Sequence, residues 1–256
     1  MLIKVPNGLL EGPDHFNLIE IDELRGKQQN YLADKDLVVG NIGHIPKILE
    51  DMVLSVQTEA GIKWRGELVE VIQRLPSNDL ETILIKIREN TYGPRFYHEA
   101  VCPFCNEVTK DFRLDLDQLK IDFLTANELA TVKSVLLLKT NIEAELKPIY
   151  LADMFKIVDI TKKSNELVTS ILALSIKRLG DKSPVEPKDI DNIPASDLRA
   201  IQQYMNDAKI EGTIDTNIEL ECSKCKKEFS IKLNCFDPSF FDPTKGYTSL
   251  NTSAMK

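Results

Sequence analysis

VCPFCNEV at residues 101–108 and ECSKCKKEF at residues 221–229 decide how this chain folds. Four of its five cysteines form two C-x-x-C pairs, Cys102 with Cys105 and Cys222 with Cys225. That spacing lets two thiolates on one tight turn face a tetrahedral ion, and two such turns complete a closed four-cysteine site. The flanks fit turns of this kind. Phe96 to Val101 has strand character, and Phe112, Leu114 and Leu116 alternate with polar residues. Ile218 and Leu220 lead into the second pair, and Phe229, Ile231 and Leu233 follow it with the same period of two. Each pair is therefore expected at the tip of a β-hairpin, with Cys102, Cys105, Cys222 and Cys225 holding one structural Zn2+ per chain. A disulfide or free thiols are the alternatives. Thioredoxin-like redox chemistry fits poorly, because neither pair opens a helix in a βαβ unit. Cys235 shares a strand face with Phe229, Ile231 and Leu233 and reads as a core thiol, while His98 is a possible substitute ligand.

The two pairs lie 120 residues apart (222 − 102), a long insertion for a simple zinc ribbon. LPSNDL at residues 75–80 is echoed by IPASDL at 193–198. Pro76 precedes Cys102 by 26 residues (102 − 76), and Pro194 precedes Cys222 by 28 (222 − 194). After each proline a helix is expected, with Asp79 or Asp197 in its first turn, where a carboxylate suits the helix dipole. Leu80, Ile83, Leu84 and Ile87 give one apolar stripe; Leu198, Ile201, Met205 and Ala208 give the other. Further upstream, Ile45 to Val56 forms a helical stripe ending near Gly61, and Leu167 to Leu174 one ending at Gly180. Each half also has a proline-containing extended opening, at Val5-Pro6 and Lys147-Pro148. The expectation is an α+β chain of two diverged, pseudo-symmetric repeats, mainly helical, that share one zinc site; chance similarity of short helical patterns is the alternative. The first repeat covers 1–125 and the second 140–243. Thr125 to Glu128 is a capping box opening a bridging helix at 126–139, and 244–256 reads as a flexible tail.

A chain of 256 residues, 43% hydrophobic and 28% charged, is long enough to bury two cores and is not disordered by composition. Its net charge of -8 has the wrong sign for nonspecific attraction to a phosphate backbone. The opening MLIKVPNGLLEGPDHF meets proline and acid before any apolar run, so no signal peptide is expected. No segment reaches the length of a membrane span, so a soluble protein is expected.

Catalytic motifs are lacking. Gly61 to Gly66 imitates a phosphate loop, but Glu67 stands where lysine is required. His15, His44 and His98 are scattered, and no H-E-x-x-H or G-x-S-x-G occurs. Four cysteines in paired turns predict a closed structural centre and no enzyme. Lys224, Lys226 and Lys227 could form a phosphate patch, which leaves a zinc-ribbon nucleic-acid module as the alternative function; on an acidic chain, offsetting thiolate charge is the better account of them.

LETILIKIRENTYGPRFYHEAVCPFC at residues 80–105 resembles a pattern in tail proteins of contractile-tailed bacteriophages: a helix, a Tyr-Gly turn, an aromatic strand and a Cys-Pro-x-Cys knuckle. IEIDELRGKQQNYLAD at 19–34 is similar to the corresponding early segment, and LNCFDPSFFDP at 233–243 to the paired phenylalanines after the second knuckle. The family is that of the T4-like baseplate proteins, specifically the hub-assembly group. The resemblance implies a late viral protein without enzymatic activity, either an assembly chaperone or a minor hub component. Its partners would be other tail or baseplate hub proteins, with no nucleic acid, membrane or small-molecule substrate. Its location would be the host cytoplasm during assembly, or the virion tail. Tyr92, Phe240 and Phe241 are its candidate partner contacts; the phenylalanines equally suit a core plug, and Tyr92 equally suits packing against the knuckle. The second knuckle lacks the proline of the first, and no Tyr-Gly follows the helix from Pro194.

Overall fold

The computed structural model describes residues 1–34, 43–161 and 167–241. The chain opens with strands β1 (Leu2–Glu11) and β2 (Asp14–Ile21), joined through Gly12 and Pro13. Gly12 has φ 60°, the positive value that the first position of such a tight hairpin turn demands. Helices α1 (Gly26–Ala33) and α2 (Ile45–Met52) follow, then β3 (Val53–Thr58), α3 (Leu68–Arg74) and α4 (Ser77–Tyr92). Strands β4 (Arg95–Val101) and β5 (Val108–Asp115) form the first cysteine hairpin. After β6 (Ile121–Asp122) and α5 (Ala126–Ala130) the order recurs: β7 (Lys133–Leu137), β8 (Ile142–Leu146), α6 (Leu151–Thr161), α7 (Leu167–Ser175), β9 (Ile176–Leu179), α8 (Pro187–Asp191) and α9 (Ala195–Asp207). Short β10 (Thr213–Ile214) precedes the second cysteine hairpin, β11 (Asn217–Glu221) and β12 (Glu228–Lys232).

Among the described residues two sheets share one topology, β1-β2-β3 and β7-β8-β9, antiparallel throughout. The α+β class therefore holds; the first half has as much strand as helix, against the expectation of a mainly helical repeat, while the second has more helix than strand. The apolar runs expected as helices to Gly61 and Gly180 each change conformation partway. Val53 pairs with Ile21 and Val56 with Ile19, so the second part of the first run is β3. Ile176 pairs with Leu146, which makes β9 of the second. In both, β-branched residues follow a helical turn and gain more by completing a sheet than by extending a helix.

Two further expectations fail. The capping box forms, with the Glu128 backbone N–H donating to Thr125 Oγ1 and the Thr125 N–H to Glu128 Oε2. It starts only the five-residue α5 rather than a helix through 139. Val132, Val135 and the leucines after them lie in or beside β7, because Val135 and Leu137 find cross-strand partners in Ala144 and Ile142. Lys147-Pro148 follows β8 and does not open a half. The tail at 244–256 lies outside the described residues.

Apolar burial divides into two clusters. The smaller is built from β7 to β9, α7, α8 and α9, with Leu137, Leu172, Ile176 and Ile201 in it. The larger joins β1 to β3, α2 and α4 to residues from the far end of the chain, including Ile214, Ile218, Phe229, Ile231 and Phe240. The second cysteine hairpin thus completes the first core. Its entry is fixed at Gly212, whose N–H donates to Asn7 Oδ1 at 2.6 Å while Asn7 Nδ2 donates to the Gly212 carbonyl at 3.1 Å. A Cβ there would stand 2.5 Å from the Asp122 carbonyl oxygen and 2.7 Å from that of Pro6, so only glycine lets the chain pass.

The two Pro-x-x-Asp-Leu segments do more than start helices. Asp79 reaches across to β1 and accepts the backbone N–H groups of Asn7 at 2.8 Å and Gly8 at 2.7 Å. Asp197 likewise accepts those of Lys139 at 3.1 Å and Thr140 at 3.0 Å, in the turn between β7 and β8. Each aspartate ties its helix to the sheet of its own half. Their electrostatics differ. Burial pushes the Asp79 carboxyl up to about 7 in spite of its hydrogen bonds, with Glu211 beside it also raised to about 7, chiefly by burial. Burial also acts against Asp197 ionisation, but there the hydrogen bonds outweigh it and the carboxyl sits below its ordinary range.

A folded-state pKa raised above the unfolded value of 3.8 gives stability that is present in full below pH 4 and lost as pH rises through 7. Asp79→Asn removes this titration. Relative to the native chain the variant should gain up to about 4 kcal/mol between pH 4 and pH 8, at about 1.4 kcal/mol per unit. A constant offset is expected from the lost Gly8 bond, so the slope is diagnostic. Urea denaturation of both proteins across that range measures it, and a pH-independent difference refutes the assignment.

Candidate metal centre

Both C-x-x-C turns are made by the same backbone hydrogen bonds. In the first, Cys102 N–H donates to the Glu107 carbonyl at 2.9 Å and Asn106 N–H to that of Cys102 at 3.0 Å. In the second, Cys222 N–H donates to Lys227 and Lys226 N–H to Cys222, each at 3.0 Å. The residue after the second cysteine is left-handed in both, Asn106 at φ 57° and Lys226 at φ 59°. That reversal lets both cysteines of a turn point inward.

The turns face each other. Cys102 Sγ lies 3.7 Å from Cys225 Sγ, and Cys105 Sγ 3.5 Å from Cys222 Sγ; all four sulfurs fall within 4.8 Å of one another. A tetrahedral ion with metal–sulfur bonds of about 2.3 Å requires sulfur–sulfur edges of about 3.8 Å. These four cysteines can therefore hold a metal ion, and a disulfide does not describe them: all five cysteines are free. Cys102 and Cys222 are buried, Cys105 and Cys225 half-buried. Thiolate character is unevenly divided. The backbone N–H of Cys225, with other donors in the turn, draws Cys222 down to about 6. The Glu107 backbone acts to lower Cys105, but desolvation and the neighbouring thiols outweigh it and push that thiol up to about 12.

The lysines of the second turn are engaged within the chain. Lys224 pairs with Glu107 of the opposite hairpin at 3.0 Å, Lys226 with Glu221 at 3.4 Å, and Lys227 lies 4.8 Å from the centre of the Phe104 ring. Two of these contacts span the two hairpins, and residue-by-residue inspection of either turn misses them. The available signal is complementarity at crossed positions, Phe104 and Glu107 of one turn against Lys227 and Lys224 of the other.

Cys235 is a core thiol: it is buried, stands apart from the four-sulfur group, and burial pushes its pKa well above the ordinary thiol value. The side chain of His98 lies outside the described residues. Phe240 and Phe241 are fully buried, which fits the core-plug reading of them and not the partner-contact one. Their rings contact each other edge-on at 5.2 Å, and Phe240 packs 5.3 Å from Phe96. Arg88, which the sequence does not single out, anchors this plug. It is buried, lies 4.6 Å over the Phe96 ring, and its Nε donates to the Phe240 carbonyl at 2.9 Å. Burial draws its pKa down to about 10. Tyr92 is half-buried at the end of α4, accepts a hydrogen bond from Gln29 and lies under Arg88. It packs within the chain.

Residues 43–241, which include both hairpins, match the family described as T4 bacteriophage base plate protein. The chain belongs to that family, and so is a phage baseplate protein. No curated protein and no solved structure matches it. No described helix is long and apolar enough to cross a membrane.

Two outcomes follow. Purified protein should carry one tightly held metal ion per chain by elemental analysis, and Cys222→Ser should lose it; two ions or none would overturn the shared centre. Phe240→Ala should cost about 3 to 5 kcal/mol in chemical denaturation, as expected for emptying a packed aromatic site.

Proposed function

We propose that this chain is a noncatalytic hub-assembly protein of the tail baseplate, acting as an assembly chaperone or a minor hub component. The family match over residues 43–241 carries this reading. Its partners are other baseplate hub proteins, and it works in the host cytoplasm while the tail is built. The centre at Cys102, Cys105, Cys222 and Cys225 is a structural zinc site. Four soft thiolates in tetrahedral reach of one ion favour zinc and fill its coordination, leaving no position for a substrate.

The chain is a diverged duplication. Support comes from the recurring strand-strand-helix-helix-strand-helix-helix order, the matched sheet topologies, and Asp79 and Asp197 in matching bonds to their own sheets. The second copy starts near β7, at residue 133 rather than 140. Each copy supplies half of the metal centre. Structural zinc is worth ~10 to 16 kcal/mol in small peptides, against roughly 5 to 15 kcal/mol for a whole domain. Its loss should detach the second hairpin from the first core.

An amber codon in this gene tests the assembly role. Under nonsuppressing conditions, electron microscopy should show arrested baseplates and no infective tails; normal tails would refute it. Mass spectrometry of purified virions then separates a chaperone, absent from them, from a hub component.

A further inference from the structure

We infer that the outward face of the first cysteine hairpin, formed by Tyr97, Val101, Phe104 and Val108, docks into an apolar groove edged with carboxylates on another baseplate protein. This rests on the baseplate assembly reading above and adds to it a surface and the chemistry of what covers it.

The two cysteine hairpins share a backbone plan and an inward chemistry. Phe96 and Ala100 of one, and Ile218, Phe229 and Ile231 of the other, are buried in the same core. Their outward faces are opposites. Val101 pairs with Val108 just before the first cysteine turn, and Glu221 pairs with Glu228 at the matching place in the second. Glu219, Ser230 and Lys232 complete the polar outer face of β11 and β12. That is the ordinary arrangement for an antiparallel sheet with one side in water. On the first hairpin Tyr97 is 53% exposed, Val101 39%, Phe104 56% and Val108 43%. Val101, Phe104 and Val108 gather at the hairpin tip, with Tyr97 farther along β4 beyond Glu99, and exposed apolar groups gathered in this way mark interaction sites. One scaffold carries both faces, so folding does not require the apolar one.

Charge around the patch selects the partner. Glu99 lies between Tyr97 and Val101 along β4, and Arg95 and Arg113 flank Tyr97. Arg113 holds Asp115 through two bonds of 2.9 Å. Arg95 and Lys227 have no ion-pair partner among the described residues, on a chain of net charge -8. A groove bordered by carboxylates complements them.

The test gives the first hairpin the chemistry of the second. A photo-crosslinking residue is placed at position 97, at 230 on the other hairpin, or at 138, where Leu138 is an exposed apolar residue outside the patch. Each is expressed during infection, and crosslinked products are identified by mass spectrometry. Position 97 should capture a baseplate protein at least tenfold more than 230 or 138. Val101→Glu with Val108→Glu should abolish that product and lower phage yield at least tenfold, with metal content and denaturation midpoint unchanged; Tyr97→Ser serves if the double variant misfolds. Crosslinks only to this chain itself, only to proteins outside the baseplate, or equally from all three positions overturn the docking face. So does salt-sensitive retention on DNA or RNA that the double variant loses. If loss of the gene arrests baseplates while both variants assemble normally, this surface falls and the assembly role stands.

Discussion

The structure depends on the return of residues 213–241 to a core begun at the N-terminus. Strands β1 to β3, with α2 and α4, bury Ile19, Ile48 and Ile83, but the core is closed by Ile218, Phe229, Ile231 and the Phe240-Phe241 plug. The four-cysteine group sits within that closure, between two hairpins whose inner residues share the same core. The entry through Gly212 and Asn7 sets the path, Arg88 anchors its end, and the sulfurs hold the middle.

This arrangement separates covalent halves from packing units. The elements from β7 to α9 other than α6 form a small core of their own, while α6, through Leu151, Met154 and Phe155, and the hairpin that follows α9 belong to the larger one. A hydrophobic interface alone between two such units would slide or open readily. Here the polar network at Asn7, Asp79 and Gly212 supplies direction, since buried hydrogen bonds are costly to leave unmade.

The cysteine hairpins were legible because period-two alternation around C-x-x-C is a local signal, and the pairing register bears it out at Ile218 with Ile231 and Phe96 with Leu114. The Pro-x-x-Asp-Leu echo was legible as two helix starts, but not the work of the aspartates, because their partners at Gly8 and Thr140 lie far off in sequence. Helix-to-strand changes at Val53 and Ile176 were hidden within continuous apolar runs, where periodicity alone does not separate buried strand from helix. The capping box at Thr125 marked a start and carried no information on length. Phe240 and Phe241 were ambiguous because the groove that receives them is assembled from Arg88 and Phe96, many residues away.

The order of closure also bears on synthesis. Everything up to β5 leaves the ribosome before the segment that completes its core exists, and a whole second unit is made in between. At roughly 5 to 20 residues per second, that leaves the first core open for on the order of ten seconds. The core whose strands are made earlier is therefore the later of the two to be finished, and its sealing waits on the translation of residues 213–241.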